Sequence, residues 1–231
     1  MDIRFTAQLG ASADTIAYPV KKGGLGSLAA VLGGVRGPLL AGAAAQARFD
    51  GAAGGVAETT AVEDGRVLRL LLVGIGEGSV ADAERAGASI VARLQTSGVV
   101  SVAVDARTIE GATEAQLVAL ATGARLRSWR HDAYRTRLAE AQKISLTALT
   151  IASPLGDIGA AFARDRAVAA GVALTQDLVA EPGNVIYPES FVERCRHLTA
   201  LGVEIDVLDE KAMQALGMGA LLGVAQGSVR P

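Results

Sequence analysis

Gly74, Gly76 and Gly78 close the stretch RLLLVGIGEGS, Arg69 to Ser79, where an apolar strand pattern runs into a helical one. Backbone N–H groups at such a junction, with a helix amino terminus behind them, can cradle a phosphate. A dinucleotide fingerprint needs more: GxGxxG inside the first βαβ unit and an acid about 20 residues on. Here the pattern is GxGxG, the third glycine comes one position early, and several strand patterns precede it. Asp105, which ends the next strand pattern, is a possible ribose partner but lies too far along. The spacing favours a tight strand-to-helix turn in which glycine permits positive φ, and it disfavours nicotinamide binding.

A second group is basic. Arg125, Arg127, Arg130, His131, Arg135 and Arg137 are interleaved with Trp129 and Tyr134, a mixture that can follow a nucleic-acid backbone and stack on bases. The alternative is a solvated strand or hairpin whose arginines pair with Asp132, Glu140 or a neighbouring subunit. Acids gather at Glu204, Asp206, Asp209 and Glu210. Glu204 and Asp206 would share one strand face, as metal-binding carboxylates can, but an exposed strand followed by Asp209 as a helix N-cap accounts for them better. GxSxG, HExxH, GxxxxGK[ST] and CxxC are all absent from the sequence.

Several elements must position these residues. DIRFTA alternates as a half-buried strand, and DTIAYPV is a second strand, with Pro19 marking an edge or an end. Residues 23–55 are rich in Gly and Ala, yet Leu25, Leu28, Val31, Leu32, Leu39 and Leu40 give them enough apolar surface for a short helix and a tight connection. Glu63-Asp64-Gly65 reads as a hairpin turn. Ser79 with Asp82, and Thr113 with Gln116, have capping spacing. Behind the first, Val80, Ala83, Ile90, Val91 and Leu94 share a helical face; behind the second, Leu117, Leu120 and Ala124 do. VVSVAVDA and ISLTALTIA are buried strands. Strands alternating with helices imply a layered α/β domain with a largely parallel sheet, over residues 1–156. A connecting helix over 157–181 carries Ile158, Phe162, Val168, Val172 and Leu178 and stops at Pro182. Residues 182–231 then read as an incomplete second α/β domain: a helix around ESFVERCRHLTAL, a strand VEIDVL, a helix from Asp209 to Gly217 and a strand in ALLGVAQGSVRP.

The bounds on function are broad. The 231 residues are half apolar, enough for a substantial core, and 22 basic against 24 acidic residues create no global field for nucleic acid or anionic membrane. No window approaches the ~20 apolar residues of a membrane span, the amino terminus has no apolar leader region, and the single Cys195 excludes an internal disulfide framework. A cytoplasmic location is expected. With only His131 and His197, sites built on several imidazoles are excluded while carboxylate sites stay open.

Two late stretches are more specific. TQDLVAEPGNVIYPESF, Thr175 to Phe191, and GMGALLGVAQGS, Gly217 to Ser228, resemble the opening of the catalytic domain in the leucyl aminopeptidase family, the di-metal M17 peptidases. The matching features include the long helix, Pro182 and Asn184 in an xPxN turn, Pro188 ahead of a helix, and the GMG…QGS segment. Upstream, VLRLLLVGIGEGS, AGASIVARL and SWRHDAYRT are similar to the family's amino-terminal α/β domain. The resemblance implies a cytosolic hydrolase that releases amino-terminal residues, often leucine, from peptides. It implies two divalent ions, Mn or Zn, and a hexamer of paired trimers. It also places the GIGEGS turn in an accessory domain. The family's metal ligands and catalytic residues fall in GKG..FD.GG and NTDAEGR-type motifs that follow QGS, and residues 1–231 contain neither. No catalytic, cofactor-binding or metal-binding role is therefore carried onto any residue here, and this chain is expected to bind neither ion. A DNA-contacting module using the arginine run, or an assembly module without catalysis, is the alternative.

Overall fold

The computed structural model describes residues 1–32 and 34–230. Six strands form one sheet: β1 (Asp2–Thr6), β2 (Thr15–Val20), β3 (Val56–Glu63), β4 (Arg66–Gly74), β5 (Ser101–Asp105) and β6 (Ala148–Ala152), in the order β1-β6-β5-β2-β4-β3. All neighbours are parallel except β3 and β4, a hairpin closed by Asp64 and Gly65. Both turn residues have positive φ, 48° and 75°, which is the geometry that lets a two-residue loop follow the strand twist. β2 is an interior strand, buried along its whole length. Pro19 therefore marks an end and not an edge: pairing to β5 involves Ile16 and Ala17 and has stopped before the proline, where a missing N–H breaks no ladder bond.

Helices cover both faces. α1 (Leu25–Leu32) and α2 (Arg36–Ala47) place Leu28, Leu40 and Ala44 against Ile16, Tyr18, Leu70 and Leu72. The described residues of the Gly/Ala-rich stretch are thus ordered by their leucines; Gly33 lies outside the described residues. On the opposite face α3 (Val80–Leu94) and α4 (Glu114–Arg127) pack Ile90, Leu94, Leu117 and Leu120 against Leu71, Val73 and Val104. Ser79 caps α3 by accepting from the Asp82 amide, and Thr113 with Gln116 forms a full capping box on α4. Val80, placed on the apolar face by its spacing, is half exposed in the first turn.

The connecting helix is shorter than the pattern implied. α5 runs over Ala163–Ala180, because Asp157 accepts from the Gly159 amide and Ile158 O closes a turn onto Ala161. An acidic side chain that bonds its own local backbone competes with helix formation. Ile158 and Phe162 still reach the core, Phe162 meeting Phe5 edge-on with centroids 5.9 Å apart. Val168 and Val172 are exposed.

The chain divides into two compact units, Met1–Ala173 and Leu174–Pro231. Beyond α5 the second holds α6 (Pro188–Cys195), α7 (Glu210–Ala215) and α8 (Gly219–Ala225). Two expectations fail here. VEIDVL forms no strand, and ALLGVA is helical within α8. A strand without a neighbour leaves its backbone groups unpaired, whereas a helix satisfies them internally, and no other strand exists in this unit among the described residues. No described residue beyond Ala169 is buried, so this unit has no core of its own.

Candidate functional site

The glycine junction is a closed turn. β4 ends at Gly74, whose amide donates to Gly55 O (2.8 Å) while Gly54 N donates to Gly74 O (2.9 Å). Ile75 N donates to Val20 O, Gly76 N to Gly51 O and Gly78 N to Ile75 O, at 2.9, 3.0 and 2.8 Å. Four of the amides that a phosphate would need are thus used by backbone carbonyls. Gly76 and Gly78 have φ of 52° and 84°. A Cβ on Gly74 would stand 1.9 Å from Ala52 O, so that glycine is required by close approach of the 51–55 loop. The Asp82 carboxylate lies beside Gly76, in the place an anion would take at the start of α3. Gln116 donates from its side chain to Gly78 O and fastens α4 to the same turn.

Asp105 is no ribose partner. It is buried at the end of β5, and Arg107 grips both its oxygens, Nε to Oδ1 at 2.8 Å and Nη2 to Oδ2 at 2.9 Å. That bond pushes the Arg107 guanidinium further into its charged range.

The basic run forms no strand or hairpin. Arg125 and Arg127 end α4, donating to Met1 O and to Gln95 Oε1, and the residues after Ser128 form an irregular connection to β6. Asp132 takes Arg130 at 2.8 Å and Arg135 at 3.4 Å, whereas Glu140 pairs with Lys143 instead. His131 stacks on Trp129 and meets Tyr134 at a tilt, with centroids 6.4 and 5.7 Å away. Most of these arginines are therefore consumed within the chain, and nothing favours the nucleic-acid reading.

The late acids do not converge. Asp209 caps α7 through the Ala212 amide (2.7 Å), Glu181 holds Arg194 at 2.8 Å and Glu193 holds Arg196 at 2.7 Å. Among the described residues no group of three or more His, Cys, Asp or Glu side chains could hold a metal ion. The donors present do not fit a two-metal centre, which needs several carboxylates around a pair of ions about 3.5–4 Å apart.

Spacing alone did not reveal one polar network. Tyr18, fully buried, accepts from Arg36 Nη1 (2.9 Å), and the same guanidinium grips Glu63 through Nε and Nη2 at 2.8 and 2.6 Å. Burial raises the Tyr18 phenol, and the Arg36 hydrogen bonds hold the Glu63 carboxyl below the usual range. The network joins β2, α2 and the β3 end; its role is structural.

The architecture matches that of proteins of known structure. A mutant of tomato leucine aminopeptidase superposes with a TM-score of 0.79 at 22% identity, covering 100% of this chain and 49% of that one. The bottromycin maturation enzyme BotP in complex with Mn gives 0.72 at 24% identity, covering 95% and 44%. At this identity the likeness establishes the fold. Sequence establishes the rest: residues 19–138 match the amino-terminal domain of the cytosol aminopeptidase family, and residues 173–231 match its catalytic domain. The chain belongs to the cytosol aminopeptidase family. It is 40% identical over 196 residues to a probable cytosol aminopeptidase of Afipia carboxidovorans, covering 82% of this chain and 39% of the relative. It is 41% identical over the same length to one of a Bradyrhizobium species, with the same coverage. The chain thus spans about two-fifths of the length of these relatives.

Proposed function

We propose that these residues are the amino-terminal portion of an aminopeptidase that releases amino-terminal residues, leucine among them, from peptides. The observation that carries this is the consecutive match of residues 19–138 and 173–231 to the two domains of one peptidase family. In this reading residues 1–156 are an accessory domain, 157–181 a connecting helix, and 182–231 the start of the catalytic domain. The complete enzyme would use two divalent ions, Mn or Zn, which polarise the scissile carbonyl and supply a nucleophilic water when bound. The manganese complex of BotP supports the metal class. A homohexamer in the cytosol is the proposed working form, the location being supported by the relatives' designation as cytosol aminopeptidases.

Residues 1–231 are assigned no step in the chemistry: their part is to fold and to carry the domain that follows. The test is hydrolysis of leucine anilide with added manganese or zinc, by this chain and by a form extended through the GKG and NTDAEGR-type motifs. The extended form should turn over and the short form should not. Comparable rates in both would place the site within residues 1–231 and overturn the assignment.

A further inference from the structure

β2 and β5 are adjacent strands that send the chain to opposite faces of the sheet. β2 leads into α1 and α2 beneath one face, and β5 leads through a short 3-10 turn into α4 on the other. In open α/β sheets the chain separates at such a point and leaves a crevice outside the carboxyl ends of the strands, where ligands settle. A cavity of about 400 Å³ lies there, within the range of small-molecule sites.

Its walls carry three kinds of chemistry. Leu28, Val31 and Ile109 give an apolar side. Lys21 and Arg107 bring two cations. Lys21 Nζ uses one proton on Glu110 O at 3.0 Å, and Arg107 Nη1 has no partner among the described residues once Nε and Nη2 have taken Asp105. Glu110 brings a carboxylate without an ion-pair partner among the described residues. A simple anion would meet Glu110 and the Asp105 charge behind Arg107, and a simple cation would meet Lys21 and Arg107. Arg107 and Glu110 stand exposed to solvent, and a molecule with both charges and an apolar arm complements all three walls.

We propose that this crevice binds a small zwitterion with an apolar side chain, a free α-amino acid or a dipeptide, its carboxylate on Lys21 and Arg107 and its ammonium on Glu110. The site belongs to Met1–Ala173 and stands whether or not the aminopeptidase assignment holds.

Calorimetric titration of the 231-residue chain tests it. L-leucine and leucyl-leucine are the two ligands, and N-acetyl-L-leucine, L-leucinamide and inorganic phosphate are the controls. At least one ligand should bind saturably, and the tighter one identifies the source. Each blocked form should bind about tenfold more weakly than free leucine. Glu110→Gln should weaken leucine about tenfold and leave N-acetyl-leucine unchanged. Val31→Trp, at a position 75% exposed and so tolerant of bulk, should fill the crevice and abolish binding. Melting curves matching the parent chain would show that both variants fold. No saturable binding of either ligand, equal binding of the blocked forms, binding of phosphate alone, or parent-like titration of both variants would each overturn the proposal.

Discussion

At the scale of single residues, Gly74 is the least replaceable position in the glycine turn. Gly74→Ala would drive a methyl into a backbone carbonyl that cannot swing aside, so a loss of about 3 kcal/mol is expected in urea unfolding. A change below about 0.5 kcal/mol would mean that the 51–55 loop moves freely. Glu63 makes a different prediction, about pH. Its folded pKa is lowered by the Arg36 hydrogen bonds, so its contribution is complete above the unfolded value of about 4.3 and is lost as pH falls through the folded value. Glu58 behaves alike, held down first by Arg93 and then by Arg69. Glu63→Gln should therefore lower the melting temperature at pH 7 and lower it less at pH 3. An equal deficit at both values would show that the ion pair contributes nothing to acid sensitivity.

Among the elements, α3 and α4 approach most closely, through two glycines. A Cβ on Gly87 would lie 1.9 Å from Leu120 O, and one on Gly123 would lie 1.9 Å from Glu84 O. Gly87→Ala gains helix propensity of about 1 kcal/mol but must separate the helices, so a net loss of about 1–3 kcal/mol is expected by thermal unfolding. A stabilised variant would refute the tight crossing. These elements also show what was readable beforehand. Ser79, Thr113 with Gln116, Asp209 and the Asp64-Gly65 turn were legible because each acts on backbone within a few residues. The failures needed distant information. Nothing in VEIDVL or ALLGVA records whether a neighbouring strand exists, and nothing in DTIAYPV says that β4 and β5 will flank it. The cavity between β2 and β5 was invisible for the same reason: Lys21 and Glu110 meet only after the sheet has formed. The candidate glycines, by contrast, could be read as a turn, since their spacing already departed from a phosphate loop.

For the whole molecule, cohesion is unequal. Met1–Ala173 owns both hydrophobic clusters, while residues 174–230 contain no buried apolar side chain among the described residues and leave Phe191, Leu216, Leu221 and Val224 exposed. Segments with few buried contacts open at little cost. Amides of α6, α7 and α8 should therefore exchange with deuterium close to the rate of an unstructured peptide, while those of β2 and β4 should be protected up to the global unfolding free energy. Uniform protection along the chain would show that the second unit is as firmly held as the first. The register of β1 adds a consequence in time. Among the described residues its only sheet partner is β6, Asp2 facing Ala148 and Thr6 facing Ala152. The first strand to leave the ribosome must wait for the last, roughly 7–30 s at ordinary rates of synthesis. Until then β1 is an unpaired tail, and any chain released before residue 148 leaves it with no place in the sheet.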